Sequence, residues 1–218
     1  MAGGALTDWL TAVGTVGTGI VAVGLAIWGN FLRGLVFKPK LVASIGTEAP
    51  YAHHLSRLEQ DKKREAYWCR MGIENTGNIS AREVEVRLIS LVRKGSGGKY
   101  VSDPDFRPLN LNWSHTLKSV MPKIDQKLSK YCDLCHVWKT DGDLLLYLDT
   151  EFEPAEVRPG VWPTRKVAGT YRVGIAVSAV NTRPAFFTFE IDFRGLWFDD
   201  ALKMFNEGLL LADVRRLR

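Results

Sequence analysis

The first part of the chain differs from the rest in how apolar and polar residues are arranged. Residues 9–32 contain no charged side chain. A helix of that length rises about 36 Å, more than the roughly 30 Å of a bilayer's hydrocarbon core. Trp9 and Trp28 lie near its ends, where aromatic rings favour the lipid–water boundary. The pattern predicts a transmembrane helix within a segment 1–37. The alternatives are a buried core helix and a cleaved signal peptide, which would need basic residues before it.

Small residues recur at four-residue spacing along this predicted helix. Small side chains at that spacing let two helix backbones approach closely, so we expect self-association through the span. Any segment rich in glycine and threonine also contains such rows by chance. The two rows are Thr11, Thr15 and Gly19, and Gly14, Thr18 and Ala22.

Basic residues near the predicted span lie only on its C-terminal side, at Arg33, Lys38 and Lys40. The positive-inside rule then leaves the N-terminus outside and the following domain in the cytosol, with these residues at the membrane surface. Three cysteines cannot all pair within the chain, which agrees with a reducing compartment. A periplasmic ligand-binding domain would require the opposite orientation.

Residues 38–195 show alternation of apolar and polar residues instead of helical spacing. Such a period of two, interrupted by Gly/Asn-rich connections, predicts antiparallel strands with one buried face. Residues 93–142 are harder to interpret and predict an irregular insertion with short strands at 109–113 and 136–138. The main predicted strands are 41–45, 67–74, 84–88, 144–149, 169–181 and 187–194.

The last segment, residues 196–218, returns to helical spacing. Aspartates near its start and arginines at its end suit a helix dipole, so the pattern predicts an amphipathic C-terminal helix. The helix would pack on the strands or, alternatively, lie on a membrane surface or a partner. Its apolar stripe consists of Phe198, Leu202, Phe205, Leu209 and Ala212.

Two stretches carry a resemblance to a known class of domains. Residues 72–86 contain an N-x-G turn followed by A-x-x-V-x-V, and residues 169–175 read Gly-Thr-Tyr-Arg-Val-Gly-Ile. Both resemble bacterial immunoglobulin-like domains, which implies an Ig-like antiparallel β-sandwich. With the predicted span, the chain resembles small single-span bacterial membrane proteins of uncharacterised function, which implies a place in the bacterial inner membrane. These motifs are structural and carry no active-site residues.

Candidate chemistry centres on a C-x-x-C-H run formed by Cys132, Cys135 and His136. The run matches c-type haem attachment, which belongs outside the cytosol, and it also supplies three possible zinc ligands. No second ligand pair at zinc spacing occurs, so we expect reduced structural cysteines and no cofactor. Gly-Ser-Gly-Gly at 95–98 lacks the strand-to-helix context of a phosphate loop, and no catalytic motif is found. We therefore expect no enzymatic activity and identify no small-molecule substrate.

Composition and charge further limit the classes of function that the chain can have. The 218 residues are 46% hydrophobic and 24% charged, which excludes a collagen-like or wholly disordered chain. The net charge of +5 is modest for nucleic-acid binding. Five lysines between residues 118 and 139 suit anionic headgroups or nucleic acid, and a solvated face explains them equally well.

The leading hypothesis is a non-enzymatic, membrane-anchored interaction or sensor module. It would self-associate through its span in the bilayer and bind an unidentified protein partner with its β-sandwich, in the manner of a membrane-acting defence effector. The alternatives are a zinc-binding module using the C-x-x-C-H run and the periplasmic ligand-binding domain.

Overall fold

The computed structural model describes residues 3–59, 62–104, 106–116, 118–140, 142–151 and 165–217. Two compact units divide the chain after Lys38. The first contains one helix, α1 (Gly3–Val36), and the second contains all of the strands.

Helix α1 contradicts the prediction of a transmembrane helix within residues 1–37. Within the part of the chain that the structure describes, no helix is long and apolar enough to cross a membrane. The predicted transmembrane helix over 9–32 and the single-pass inner-membrane localisation are therefore wrong for the described residues.

The rows of small residues lie on α1, with their threonine hydroxyls bonded to their own helix. Thr15 Oγ1 donates to the carbonyl of Thr11 at 2.8 Å, and Thr18 Oγ1 donates to the carbonyl of Gly14 at 2.5 Å. Such bonds satisfy the hydroxyl groups locally, so they need no partner from another chain. Self-association of the helix stays a prediction.

The second unit consists of two antiparallel sheets, as the alternating pattern predicts. Sheet 1 has the strand order β1-β3-β8-β9-β10, with β2 also paired to β3, and sheet 2 has the order β13-β12-β11-β4-β5, with β6 and β7 also paired to β4. The mainly-β, sandwich-like architecture is confirmed. The strands are β1 (Leu41–Ile45), β2 (Ala52–Glu59), β3 (Lys62–Asn75), β4 (Ala81–Lys94), β5 (Tyr100–Ser102), β6 (Leu109–Asn110), β7 (Val120–Ile124), β8 (Ser129–Trp138), β9 (Leu146–Leu148), β10 (Arg165–Lys166), β11 (Gly169–Ala179), β12 (Thr182–Phe193) and β13 (Leu209–Leu217).

One apolar core joins the inner faces of both sheets. Alternate residues of each strand contribute to it, because successive side chains of a strand point to opposite faces. Residues 93–142 supply β5 to β8, which belong to both sheets. The largest fully buried side chains include Trp113, Tyr67, Tyr171, Phe187, Phe189 and Phe193.

The predicted C-terminal helix over 196–218 is wrong. Only a short α2 (Ala201–Lys203) and one π-helical turn (Met204–Gly208) form, and β13 then pairs antiparallel with β12. The residues of the expected stripe do not share a face, since Leu209 is buried whereas Leu202 is 67% exposed. The backbone N–H and C=O groups along the edge of β12 need hydrogen-bond partners. Residues 209–217 supply these partners as a strand, although their apolar residues have helical spacing in the sequence.

The N-x-G turn begins at Asn75, a fully buried residue at the end of β3. Its Nδ2 donates to the carbonyls of Ile79 (2.7 Å) and Ile124 (3.0 Å). Its Oδ1 accepts from the backbone N–H of Lys40 (3.2 Å) and of Gly77 (3.1 Å). One side chain therefore holds four backbone groups from three separate parts of the chain.

Candidate functional site

The C-x-x-C-H run lies on β8, and a β-bulge decides where its side chains point. In a regular strand, Cys132 and Cys135 would point to opposite faces. The pairing of β8 with β3 instead shifts by one residue between Cys135 and Asp133, leaving Leu134 as the extra residue. Both cysteines are consequently buried in the core, and His136 follows on the other face of the sheet.

The ligands that the sequence suggested for a metal lie on two faces of sheet 1, with both cysteines in the core and His136 in the outer ring stack. Cys132 Sγ contacts the Met71 carbonyl oxygen at 3.7 Å, and Cys135 has Cys69 as its cross-strand neighbour. Among the described residues, no group of three or more His, Cys, Asp or Glu side chains is placed to hold a metal ion. The three residues of the run are therefore not brought together.

Burial also controls the chemistry of these thiols. It raises the pKa of Cys132 far above the usual thiol range, and the side-chain hydrogen bond between Cys135 and Cys69, together with burial, raises the pKa of Cys135. A thiolate is the reactive and metal-binding form, so both groups are unreactive while the core is intact.

We therefore expect native protein to react with Ellman's reagent much more slowly than urea-unfolded protein, by at least 100-fold. The rate of thiolate release with and without equimolar zinc is the measurement. Fast stoichiometric labelling of the native protein, or protection by zinc, would contradict the buried arrangement.

His136 lies in a stack of rings that crosses the outer face of sheet 1. Cross-strand pairing places it between Trp68 of β3 and Tyr147 of β9. Its ring is stacked on Trp68 at 4.3 Å and on Tyr147 at 5.0 Å between centroids. The guanidinium of Arg165, on β10, lies 5.4 Å from the centre of the Tyr147 ring. Both faces of His136 are thus covered by protein.

The imidazole of His136 contacts a buried carboxylate. Its Nδ1 lies 2.8 Å from Oδ1 of Asp149, and both side chains are about 12% exposed. Burial raises the pKa of Asp149, and the hydrogen bond from His136 acts in the opposite direction. The contact with Asp149 and the stacked rings of Trp68 and Tyr147 together hold the imidazole of His136 in place.

A second feature is a pocket of about 560 Å³ between the ends of the two sheets. Basic side chains from both sheets line it: Arg93 and Lys94 end β4, and Arg165 and Lys166 form β10. One carboxylate, that of Asp103, is also part of the wall. Among the described residues that line the pocket, four are basic and one is acidic.

Arg93 is oriented by a carbonyl and an aromatic ring. Its Nη2 donates to the carbonyl of Ala168 at 2.8 Å, and its guanidinium lies 5.8 Å from the centre of the Tyr171 ring. Tyr171 is itself fixed, since its hydroxyl donates to the Val167 carbonyl at 2.7 Å. Within the described ranges no carboxylate forms an ion pair with Arg93, so its charge is not neutralised by an acidic side chain.

Lys166, in contrast, has its charge balanced. Its Nζ lies 2.8 Å from Oδ2 of Asp103, and the two side chains are only 7% and 13% exposed. Breaking a buried pair of this kind is costly, because the remaining charge stays desolvated. The Lys166–Asp103 pair fixes one part of the pocket wall. The other basic side chains of the described lining, those of Arg93, Lys94 and Arg165, make the net charge of that lining positive.

The basic residues predicted to lie at a membrane surface are not part of this pocket. Lys38 and Lys40 are exposed, and the side chain of Arg33 lies outside the described residues. The pocket is built from segments far apart in sequence, so no local motif reveals it. The one local signal is Gly95-Ser96 after Lys94, a glycine-rich turn that forms part of the pocket lining.

No protein-family model matches the chain, and no curated protein has a similar sequence. The resemblance to bacterial immunoglobulin-like domains therefore stays a prediction.

Proposed function

We propose that the β-sandwich is a non-enzymatic binding module that takes a small anionic ligand in the pocket of Arg93, Lys94, Arg165 and Lys166. The observation that supports this most strongly is the excess of basic side chains around a concave space. A volume near 560 Å³ is in the usual range for small-molecule sites. Guanidinium groups match carboxylate and phosphate groups in shape and charge, which favours ligands of these two classes.

The way Arg93 is held favours binding over a purely structural role. A structural arginine is commonly paired with a carboxylate, which neutralises its charge. Arg93 is instead placed by a carbonyl oxygen and by the ring of Tyr171. Its donors other than Nη2 are therefore available to an acidic group that enters the pocket, and the fixed side chain loses little entropy on binding.

A role without catalysis fits the chemistry of the described residues. The His136–Asp149 pair lies within a ring stack, and the buried thiols have raised pKa values. Neither arrangement offers an activated nucleophile to a bound ligand. The sequence predicted an interaction or sensor module with an unidentified protein partner. This proposal instead names a chemical class of ligand for the module, small anions.

We expect carboxylates and phosphates to bind the full-length protein, and Arg93→Ala to weaken that binding at least tenfold. Isothermal titration with citrate and with inorganic phosphate is the measurement. Removal of the guanidinium takes away a charge-assisted hydrogen-bond donor without exposing the core, so thermal stability should change little.

Arg183→Ala is the matched control. Arg183 is an exposed arginine at the opposite end of the β11–β12 hairpin from Tyr171 and lies outside the pocket. The substitution removes the same charge from the chain but at a place outside the pocket, so anion binding should be unchanged. Equal loss in both variants would indicate general electrostatic attraction, and no binding of either anion would refute the proposed function.

A further inference from the structure

We infer that Cys69 and Cys135 form a disulfide when the chain folds in the presence of a low-molecular-weight disulfide oxidant. The inference is independent of the proposed function, because neither cysteine is among the described residues that line the cationic pocket. The C-x-x-C spacing alone would suggest Cys132 as the partner of Cys135. The structure assigns a partner from another strand.

Cys69 and Cys135 face each other across the pairing of β3 with β8. The Cα atoms of directly opposed residues in antiparallel strands lie about 4.5–5.5 Å apart, within the roughly 4.4–6.8 Å that a disulfide spans. Both side chains are buried in the same core, so they point to the same side of sheet 1. The two thiols already share a side-chain hydrogen bond. An S–S bond therefore requires movement of two side chains that are in contact and no change of strand pairing.

Cys132 lies on the same strand as Cys135 but has a different neighbour. The pairing places it opposite Met71, and its Sγ contacts the Met71 carbonyl oxygen at 3.7 Å. Met71 is two residues from Cys69 along β3, a rise of about 6.6 Å. That offset leaves the Cα atoms of Cys132 and Cys69 about 8 Å apart, more than the roughly 7 Å that a disulfide can span. Cys132 should therefore stay a thiol when the other two are oxidised.

The reaction is a thiol–disulfide exchange with an oxidant such as oxidised glutathione. The thiolate of one cysteine attacks a sulfur of oxidised glutathione, which forms a mixed disulfide and releases one glutathione thiolate. The thiolate of the other cysteine then attacks the protein sulfur of the mixed disulfide, which forms the protein disulfide and releases the second glutathione thiolate. Two protein thiols are thereby oxidised and one oxidised glutathione is reduced. The two protons lost by the cysteines are taken up by the two released glutathione thiolates.

Burial restricts when this exchange can take place. In the folded protein Cys69 and Cys135 are both 0% exposed, so glutathione cannot reach either thiol. In the unfolded chain both thiols are open to solvent. The exchange therefore accompanies folding, and the closed core then protects the bond from reductants. The oxidation state of the pair records the redox conditions under which the chain folded.

The test refolds the full-length chain from urea with an excess of oxidised over reduced glutathione, and with reduced glutathione alone as the reference. Remaining thiols are blocked with N-ethylmaleimide before digestion with trypsin. We expect peptide 65–70, which contains Cys69, to be linked to peptide 131–139, which contains the other two cysteines. Further cleavage before Asp133 separates those two, and the maleimide should be found on Cys132.

The bridged protein should melt at a higher temperature than the reduced protein, by roughly 5 °C or more, because the bridge limits the freedom of the unfolded chain. Cys132→Ala is the matched control: it removes a buried thiol of the same strand and should leave the bridge and its stabilisation unchanged. Cys69→Ala and Cys135→Ala should each abolish the bridge. Circular dichroism checks that all three variants are folded.

The mapping of the wild-type chain decides the inference even if a variant fails to fold. A bridge between Cys132 and Cys135, a bridge between Cys69 and Cys132, or no bridge under the oxidising condition would overturn it. A bridged form that melts no higher than the reduced form would also overturn it, because the bond would then not fit the native pairing. None of these results bears on anion binding, so the proposed function is tested separately.

Discussion

Asn75→Ala is expected to lower the free energy of unfolding by about 3 kcal/mol or more, since a buried group that loses its partner costs roughly 1–3 kcal/mol. The Asn75 amide holds two carbonyls and two backbone N–H groups, and alanine can replace none of these bonds. In a domain of this size the melting temperature should fall by roughly 6–12 °C. Urea denaturation followed by tryptophan fluorescence is the measurement.

Thr76→Ala is the control for this prediction. Thr76 is the next residue of the same turn, is exposed, and donates one hydrogen bond from its hydroxyl to the Lys40 carbonyl. Its loss should cost less than about 1 kcal/mol, because water can replace the bond. If the two variants lose equal stability, the central role assigned to the Asn75 side chain is wrong.

His136→Phe is expected to lower the free energy of unfolding by about 3 kcal/mol at pH 7.5, because a buried carboxylate that loses its hydrogen-bond donor stays desolvated. Phenylalanine keeps an aromatic ring between Trp68 and Tyr147 but removes the Nδ1–H group that contacts Asp149. The carboxylate then stays buried with no donor from His136. Its Oδ2 atom already has no hydrogen-bond partner among the described residues.

The loss in His136→Phe should shrink as the pH falls. Burial raises the folded-state pKa of Asp149 above the ordinary value of 3.8, and loss of the imidazole removes a contact that lowers it. A group with a raised folded-state pKa stabilises the fold when it is protonated, and that contribution is lost as the pH rises through the folded-state pKa. Stability should therefore be recovered between that pKa and about pH 3.8.

The double variant His136→Phe with Asp149→Asn provides the reference for this titration. It removes the buried carboxylate, so its stability relative to the wild type at pH 7.5 should exceed that of His136→Phe alone. Urea denaturation at pH 7.5, 5.5 and 4.5 measures both variants. A constant difference between them across this range would contradict the assignment of the effect to the Asp149 charge.

The candidate site residues show which features a local sequence pattern can predict and which it cannot. The C-x-x-C-H spacing suggested a set of metal ligands, but the extra residue Leu134 decides which way the side chains of β8 point. A bulge is defined by the pairing with β3, so the spacing within β8 contains no information about it. The pocket was not predicted for a similar reason, since its lining comes from strands of two sheets that are distant in sequence.

By itself, the sequence determined the alternating strands and with them the mainly-β, antiparallel class, because a period of two is a property of each strand alone. It also marked the Asn75 turn. Only the tertiary structure decided that residues 209–217 form an edge strand, since β12 offers backbone partners that outweigh helical spacing. The bulge at Leu134 and the cationic pocket were likewise decided there, because both depend on contacts between residues distant in sequence.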